Sequence, residues 1–329
     1  MGPRKAYVTL LTKNSYLPAA LVLNESLQRV GSKYPLVIMS TPSLPTEAKE
    51  ALTRQRIETT TVNPLQPTPN THALSDLDAR FADTWTKLRC LRFDRGFGLV
   101  EFEVEPPLEF QHRRLISSQR IVLLDCDMIV MRNMDELFDT DLPDGWIAAA
   151  HVCACNPMKF AHYPADWIPE NCAYTPLEHP TALTQPTQIQ PDSPRAYGLL
   201  NSGMVVLQPS AEVMAGLTEF LSTSPLVSTF RFPDQDLLAT FYEGRWKPLP
   251  WCYNALKTLR KLHEPLWRDE EIRCLHYILA VKPWQTKVVD EWEKGMHLWW
   301  WDRYRILEDR LSQEGDEETL RLSRENVAQ

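Results

Sequence analysis

Short apolar runs alternate with amphipathic stretches along the first part of the chain. The runs at 6–11, 35–40 and 57–62, rich in apolar or β-branched residues, predict strands, and the stretches at 16–29 and 46–56 predict helices. Asn14 or Ser15 is expected to cap the first of these helices. Such alternation is typical of a parallel sheet with helices on both faces. Ligands of such sheets bind at the carboxyl ends of the strands, so the sequence predicts an α/β fold with its site at that edge.

The apolar run at 121–124 is followed at once by acidic residues. A continuous apolar run predicts a central strand that is covered on both faces. Asp125 and Asp127 come directly after it, and residues two apart in an extended chain point the same way. Two carboxylates on one side raise each other's pKa unless a cation lies between them. We therefore expect a divalent metal site here, with a plain turn after a strand as the alternative.

The remaining elements are less regular along the chain. Strands are predicted at 146–150, 204–207 and 274–277, and helices at 83–93, 133–138, 211–221 and from Asp234 onwards. The polar segment at 97–118 is predicted to be a surface excursion. Trp299, Trp300 and Trp301 are predicted to lie on a helix that packs across the domain, and the charged tail after Ser312 is expected to be frayed or disordered.

The proline-rich stretch at 151–200 shows no clear period and predicts a long loop. Loops of this length are usually functional or disordered, and the aromatic side chains here favour an ordered one. The aromatic residues are Phe160, Tyr163, Trp167 and Tyr174. The possible metal ligands are His151, Cys153, Cys155, His162 and Cys172. The Cys-x-Cys spacing differs from common zinc patterns, so we expect buried free thiols, with structural zinc as the alternative.

Composition and charge limit which classes of partner the protein can bind. A chain of 329 residues with 43% hydrophobic content can bury a large core. Its net charge of −8 argues against a nucleic-acid binder, which would carry a basic face. No apolar run approaches a membrane span, and the first residues lack a signal-peptide pattern. With seven cysteines expected to be reduced, the sequence predicts a cytoplasmic protein without a membrane partner.

Six short motifs occur in an order and spacing that resemble one family. They are Val8-Thr9-Leu10-Leu11-Thr12 with Tyr16, Thr86-Lys87-Leu88, Asp125-Cys126-Asp127, Asn201-Ser202-Gly203, Asp234-Gln235, and His276 with Lys282-Pro283-Trp284. Together they resemble the family 8 glycosyltransferases, the retaining group that includes glycogenin and galactinol synthase. The resemblance implies a GT-A fold with a central, mostly parallel sheet flanked by helices. The resemblance runs from about Ala6 to Trp284. We predict a GT-A domain at 1–290, with a long inserted loop at 151–200, followed by a helical, partly disordered tail at 291–329.

The resemblance also implies roles for the matching residues. Asp125, Asp127 and His276 would be the metal ligands, and one imidazole among oxygens leans toward Mn²⁺ over Mg²⁺. Lys282 would contact the diphosphate of the donor. The implied uracil and ribose contacts are Leu10, Thr12 and Tyr16. The implied contacts to the donor sugar are Lys87, Asn201, Gly203, Asp234 and Gln235. Gly203 would let the backbone approach the ligand.

The implied reaction moves a hexose, glucose or galactose, from a UDP-sugar to a hydroxyl acceptor with retention at the anomeric carbon. Asp234 is the nearest candidate for a nucleophile, but the family places Gln235 beneath the sugar. We therefore expect front-face attack, with Lys282 stabilising the departing diphosphate. Two positions depart from the pattern. Leu279 stands where glycogenin has glycine, and Ala239 replaces an asparagine of galactinol synthase, so the acceptor stays open.

Three other functions remain as alternatives. The sequence around Asp125 and Asp127 also occurs in haloacid-dehalogenase-type phosphatases, although there it follows the first strand of the domain. A self-glycosylating primer would need an acceptor tyrosine, and the matching position holds Lys261. The chain could also be a non-catalytic scaffold that binds a UDP-sugar. The expected partners are a nucleotide-sugar donor and a small-molecule or glycan acceptor, with a homodimer as an open alternative.

Overall fold

The computed structural model describes residues 5–68, 83–93, 120–161 and 163–329. The strands in these residues are β1 (Lys5–Leu11), β2 (Leu36–Ser40), β3 (Glu58–Thr61), β4 (Arg120–Leu124), β5 (Met128–Val130), β6 (Ile147–His151), β7 (Leu200–Leu207), β8 (Trp246–Pro248), β9 (Ala255–Leu256) and β10 (Cys274–His276). The α-helices are α1 (Leu17–Arg29), α2 (Thr46–Arg54), α3 (Ala211–Thr223), α4 (Pro233–Phe241), α5 (Leu259–Leu262), α6 (Glu291–Glu314) and α7 (Glu317–Glu325).

Seven strands form a central sheet in the order β3-β2-β1-β4-β7-β6-β8. β1 pairs in parallel with both β2 and β4, and β6 pairs in parallel with β8. β7 runs antiparallel between β4 and β6. The prediction of an α/β fold with a mostly parallel sheet is therefore confirmed, with one reversed strand beside the strand that carries the acidic pair.

The two faces of this sheet are buried in separate apolar cores. Val122 and Leu124 of β4 belong to the core shared with α1 and α6. Ile121 and Leu123 point into the opposite core, shared with α3 and α4. Because successive residues of a strand point to opposite faces, burial on both faces requires apolar side chains at every position. This explains the uninterrupted apolar run before Asp125.

A second sheet of three strands, in the order β5-β10-β9, lies beside the end of β4. β10 pairs antiparallel with β5, which places His276 opposite Met128. The backbone N–H of Tyr277 donates to the carbonyl of Asp127 at 3.0 Å. The ladder thus brings His276 next to Asp127, although the two residues are far apart in sequence.

Some predicted helices are shorter or tighter than expected. Asn14 and Ser15 do not cap the first helix. Instead, a 3-10 turn at Asn14–Tyr16 precedes α1, with Pro18 in its first turn. The helix predicted at 133–138 is a 3-10 segment at Asp135–Asp139. There the Asp135 carboxylate accepts from the backbone N–H of Lys33 at 2.9 Å, which ties the segment to the loop before β2.

The C-terminal segment differs most from expectation. Trp300 lies on α6 as predicted and stacks on Tyr304, with ring centroids 5.2 Å apart. The tail after Ser312 was expected to be frayed, but it continues into α7, which buries Leu320 and Leu322. Asp316 caps α7 by accepting from the Thr319 N–H at 3.1 Å. Because the tail is rich in charged residues, the narrow apolar face of α7 is not evident from the sequence. The division at 290 into a domain and a tail stays a prediction.

Two other expectations concern the polar segment at 97–118 and the absence of a membrane span. The surface excursion predicted at 97–118 lies outside the described residues. In the ranges that the structure describes, no helix has the length and apolar character needed to cross a bilayer. The cytoplasmic location stays a prediction.

Candidate active site

A cavity of about 580 Å³ opens where β1 and β4 end and β7 begins. Of the twelve site residues predicted from the sequence, eleven line it, and Gly203 does not. The eleven are Leu10, Thr12, Tyr16, Lys87, Asp125, Asp127, Asn201, Asp234, Gln235, His276 and Lys282. The carboxyl edge of the sheet therefore gathers nearly all of the predicted residues, as expected for an α/β fold.

Asp125, Asp127 and His276 form one cluster in this cavity. One ligand atom from each lies within 4.8 Å of the others. His276 Nε2 is 3.3 Å from Asp127 Oδ1 and 3.7 Å from Asp125 Oδ2. Asp125 keeps 30% of its side-chain surface exposed, whereas Asp127 and His276 are nearly buried. The cluster is thus open toward the cavity on the Asp125 side.

A chain of side-chain amides fixes which nitrogen of His276 faces the carboxylates. The backbone N–H of Gly203 donates to Asn201 Oδ1 at 3.0 Å, and Asn254 Nδ2 donates to the same oxygen at 2.8 Å. Asn254 Oδ1 must then be the atom that faces His276 Nδ1, at 2.9 Å. Because an amide oxygen can only accept, Nδ1 carries the proton. Nε2 is left with its lone pair toward the carboxylates.

Asn254 is a site residue that the sequence did not reveal. It lies at the end of a 3-10 segment, Trp251–Asn254, and is fully buried behind His276. Residues that orient a metal-binding imidazole in this way usually matter for metal affinity. In the sequence Asn254 simply follows Tyr253, and that pair of residues gives no hint of the contact with His276.

Gly203 packs directly against the ring of His276. A Cβ atom at this position would lie 2.2 Å from His276 Cε1 and 2.6 Å from Nδ1. Any side chain would therefore displace the imidazole ring. Gly203 therefore makes room for the ring of His276. It does not line the cavity, and its contact with a donor sugar stays a prediction.

Two buried lysines neutralise the acidic residues. Lys282 Nζ is 2.5 Å from Asp127 Oδ2 and also donates to the carbonyl of Tyr277 at 2.7 Å. Lys87 Nζ is 2.8 Å from Asp125 Oδ1 and 2.5 Å from Asp234 Oδ2. Both ammonium groups therefore lie against the acidic residues and add positive charge to the lining of the cavity.

The pKa values of these groups move in opposite directions. Burial would raise the pKa of Asp127, but the ammonium group of Lys282 outweighs it and holds that pKa below its ordinary value. Burial raises the pKa of Asp125, and the neighbouring Asp127 adds to the rise, although Lys87 opposes it. Burial would lower the pKa of Lys87, but Asp125 and Asp234 raise it above its ordinary value. Asp127 is thus the more firmly ionised carboxylate of the pair.

The start of α4 presents Asp234 and Gln235 to the cavity. The neighbouring Asp236 accepts from the backbone N–H groups of Arg231 and Phe232 at 2.7 and 2.9 Å, which fixes the first turn of the helix. Gln235 Oε1 accepts from Asn201 Nδ2 at 3.2 Å. Gln235 therefore belongs to the same amide chain that orients His276.

A second wall of the cavity is formed around Tyr16. Its ring packs edge-on against Trp284, with centroids 5.2 Å apart. The indole N–H of Trp284 donates to the carbonyl of Ser15 at 2.9 Å. Trp284 also packs against Trp300 of α6, with centroids 5.6 Å apart. The C-terminal helix thus supports the aromatic residue that the resemblance assigns to the nucleobase.

The opposite wall comes from the long loop at 151–200. Trp167 stacks on Phe232 at 5.3 Å with an interplanar angle of 11°, and Tyr163 packs edge-on against both rings. Phe160 lies 5.1 Å from Tyr163. All four aromatic residues line the cavity. The loop therefore contributes aromatic side chains to the cavity that also contains the acidic cluster.

Leu279 also lines the cavity and has an unusual backbone conformation. Its φ of 75° lies in the left-handed region, which favours glycine. This is the position where the sequence departs from glycogenin. The chain keeps a turn that suits glycine while carrying a branched side chain there.

The possible zinc ligands in the loop separate into two groups. His151 is buried elsewhere, and its Nε2 lies 2.8 Å from the carbonyl of Thr187. His162 lies outside the described residues. Cys153, Cys155 and Cys172 come together, and the nearby histidine is His263, which the sequence did not indicate.

The residues in the cavity fit a divalent cation. Two carboxylates and an imidazole nitrogen with a free lone pair form a mixed oxygen and nitrogen donor set, which suits Mn²⁺ better than Mg²⁺. The lone pair is available only because Asn254 holds the proton on the other nitrogen. Three protein ligands would leave further coordination positions for oxygens of a substrate.

The sequence is similar to known proteins over most of its length. Residues 113–287 match the model of glycosyl transferase family 8. The chain is 28% identical over 311 residues to galactinol synthase 1 of Ajuga reptans, covering 92% of this chain and 82% of that protein. It is 28% identical over 309 residues to galactinol synthase 4 of Arabidopsis thaliana, covering 92% and 81%.

Solved structures share the fold at low identity. The galactosyltransferase LgtC, solved with donor and acceptor sugar analogues, superposes with a TM-score of 0.51 at 14% identity, covering 91% of this chain and 95% of LgtC. The bifunctional glycosyltransferase WbbM gives 0.53 at 15% identity, covering 93% of this chain. The chain spans about half of WbbM, 52% of its length.

Proposed function

Because this chain belongs to glycosyl transferase family 8, we propose that it is a metal-dependent, retaining hexosyltransferase that uses a UDP-sugar and a separate hydroxyl acceptor. The observation that carries the proposal is the cluster of Asp125, Asp127 and His276 at the end of β4, with Lys282 beside it. A glycosyltransferase needs positive charge where its leaving group develops negative charge, and this cluster lies where such charge can be held.

Asp125, Asp127 and His276 would hold the cation, with Mn²⁺ as the expected ion and Mg²⁺ as the weaker substitute. When bound, the cation supplies charge that stabilises the diphosphate of the leaving group. Asn254 keeps His276 in the tautomer that can bind a metal. Gly203 keeps the space in which the imidazole ring lies.

Lys282 and Lys87 would have different electrostatic roles. Lys282 is placed to exchange its contact with Asp127 for the donor diphosphate as that group departs. Lys87 stays between Asp125 and Asp234, so it would hold these carboxylates in place near the donor sugar. Leu10, Thr12 and Tyr16 would bind the nucleoside, with Tyr16 held in place by Trp284.

Retention with front-face attack suits the residues near the sugar. A double displacement needs a free carboxylate nucleophile beside the anomeric carbon. Asp234 is the nearest carboxylate, and its ion pair with Lys87 reduces its nucleophilicity. Gln235 is held by Asn201 and offers an amide oxygen, which is a poor nucleophile. The acceptor hydroxyl is therefore expected to attack from the side on which UDP departs.

The curated relatives favour galactose as the hexose. Both are named galactinol synthases. Galactinol is a galactosyl cyclitol, so UDP-galactose and a cyclitol are the first substrates to test, with UDP-glucose as the alternative donor. The aromatic wall formed by Tyr163, Trp167 and Phe232 offers apolar faces of the kind that stack on sugar or cyclitol rings.

A separate acceptor is favoured over self-glycosylation. The position that matches the acceptor tyrosine of glycogenin holds Lys261, which has no oxygen to glycosylate. Its ammonium lies 5.4 Å from the ring centroid of Trp292 on α6. The primer activity therefore has no acceptor at that position.

The test is UDP release by the purified chain with Mn²⁺, UDP-galactose or UDP-glucose, and a soluble cyclitol. We expect turnover with one donor that needs both Mn²⁺ and acceptor and that Asp125→Asn abolishes. A ladder of added hexoses in the intact mass would favour the self-glycosylating primer. A donor-dependent thermal shift without any UDP release would favour the non-catalytic scaffold.

A further inference from the structure

We infer that Cys153, Cys155, Cys172 and His263 form a structural zinc site in the wall of the active-site cavity. The four side chains offer one ligand atom each, and these atoms all lie within 4.8 Å of one another. The site is separate from the acidic cluster and does not depend on the proposed function. It replaces the expectation of free thiols, because the sequence could not indicate the fourth ligand.

The distances match tetrahedral zinc. His263 Nε2 is 3.6, 3.2 and 3.5 Å from the sulfurs of Cys153, Cys155 and Cys172. With Zn–S of about 2.3 Å and Zn–N of about 2.0 Å, a nitrogen and a sulfur at the tetrahedral angle lie about 3.5 Å apart. One nitrogen is therefore at the expected distance from three sulfurs at once, an arrangement that a chance contact between a histidine and one cysteine would not produce.

The ligands come from three separate parts of the chain. Cys153 and Cys155 follow β6, Cys172 ends a 3-10 segment at Pro169–Asn171, and His263 ends α5. His263 lies 91 residues beyond Cys172 in sequence. Cross-linking such distant segments is typical of structural zinc, which adds stability by holding the folded arrangement together.

The surroundings suit a closed metal site. Cys172 is fully buried, and Cys155 and His263 are nearly so. The ring of Tyr174 packs 5.8 Å from that of His263. Four protein ligands complete the coordination of zinc and leave no position for a substrate, which distinguishes a structural site from a catalytic one.

Zinc binding would use all three thiols and the imidazole of His263 as ligands. On binding zinc, each thiol loses its proton to solvent and binds as thiolate, while neutral His263 supplies a lone pair. A disulfide could join only two of the three sulfurs and would leave the third thiol and His263 without a role. None of the seven cysteines is in a disulfide.

A zinc ion at this position would hold the aromatic wall of the cavity in place. Cys153 lines the cavity, and the aromatic residues Tyr163 and Trp167 lie between Cys155 and Cys172 in sequence. Zinc would anchor both ends of this segment to α5, which follows strand β9 of the sheet that carries His276. The aromatic wall would then keep a fixed distance from the acidic cluster.

The first test is the metal content of protein purified without chelator and then passed through a desalting column. We expect one zinc per chain in the wild type and none in Cys172→Ala. Cys252→Ala is the matched control, because it also removes a buried thiol, outside the cluster, and should keep one zinc. Asp125→Asn should keep it as well. Zinc missing from the wild type, or retained by Cys172→Ala, would overturn the proposal.

A second variant keeps the proposal testable if Cys172→Ala does not fold. His263→Cys converts the ligand set to four sulfurs, so it should still bind one metal ion. With cobalt in place of zinc, the thiolate-to-cobalt absorption should grow stronger and the visible d–d bands should shift relative to the wild type. Unchanged cobalt spectra would show that His263 is not a ligand. A mercurial that titrates thiols should release zinc in wild type, and thiols that react fully without release would count against the site.

Discussion

The molecule has two clusters that can hold a metal, and they differ in openness and in the charge around them. Asp125, Asp127 and His276 supply three ligands, and Asp125 is partly exposed to a cavity. The thiol cluster supplies four ligands in the wall of the same cavity. An open set of oxygen and nitrogen donors suits an exchangeable ion that meets a substrate, whereas a closed set with sulfur donors suits a permanent one.

The charges near the two clusters support this division. Lys282 and Lys87 form ion pairs with the carboxylates of the open cluster. Under the proposed function, these lysines would redistribute charge when a diphosphate and a cation bind together. The ligands of the closed cluster are three thiols and one imidazole, with no carboxylate among them. The comparison predicts that chelators and substitutions will affect the two clusters independently.

Asp127→Asn should have the largest effect, and only on the open cluster. It removes the more firmly ionised carboxylate and the partner of Lys282, so turnover should fall on the order of 10³-fold. Steady-state kinetics with saturating donor measures the loss, and metal analysis should still find one zinc per chain. Loss of both activity and zinc would mean that the two clusters are not independent.

Lys282→Ala should lower kcat by about 10²-fold while changing the KM for the donor much less. The reason is that its charge matters most when the leaving diphosphate becomes more negative. Lys261→Ala is the matched control, because Lys261 is exposed and contacts Trp292 instead of the cavity residues. A rise in KM with unchanged kcat would make Lys282 a ground-state contact.

Gly203→Ala should weaken Mn²⁺ binding about 10- to 100-fold, because the added methyl group collides with the ring of His276. Gly216→Ala on α3 is the matched control. Its added methyl group would lie 3.7 Å from the nearest atom, Cζ of Phe241, so it should leave metal binding unchanged. Titration of Mn²⁺ followed by electron paramagnetic resonance measures both. Equal affinity in Gly203→Ala and wild type would refute the packing role of Gly203.

Leu279→Gly should have the smallest effect and the opposite sign. Glycine adopts the left-handed backbone at this position without strain, which should raise the free energy of unfolding by about 1 kcal/mol. The larger conformational entropy of glycine in the unfolded chain reduces this gain. Chemical denaturation measures it, with Leu298→Gly on the exposed face of α6 as a control that should destabilise. A Leu279→Gly variant that is clearly less stable than the wild type would mean that its side-chain contacts outweigh the strain.

Local patterns were enough to predict the sheet and the acidic pair. The apolar run before Asp125 reflects burial on both faces of β4, and the spacing of Asp125 and Asp127 reflects the geometry of an extended chain. His276 could be proposed only from its resemblance to a family motif, because its place beside Asp127 depends on the pairing of β10 with β5.

Contacts between distant segments could not be predicted in this way. Asn254 and His263 each act on residues from other parts of the chain, and neither lies in a repeating pattern. Gly203 was assigned to the substrate, although its contact is with a protein ring. The tail after Ser312 was mistaken for a frayed end because its charged residues outnumber the few apolar ones that α7 buries.

The most direct test of two different metal sites is a calorimetric titration with UDP after dialysis against EDTA. We predict that the dialysed protein keeps one zinc per chain and binds UDP weakly or not at all, and that added Mn²⁺ restores binding more effectively than Mg²⁺. Equal UDP affinity with EDTA and with Mn²⁺ would contradict the account of the open cluster. Loss of zinc under the same dialysis would contradict the account of the closed one.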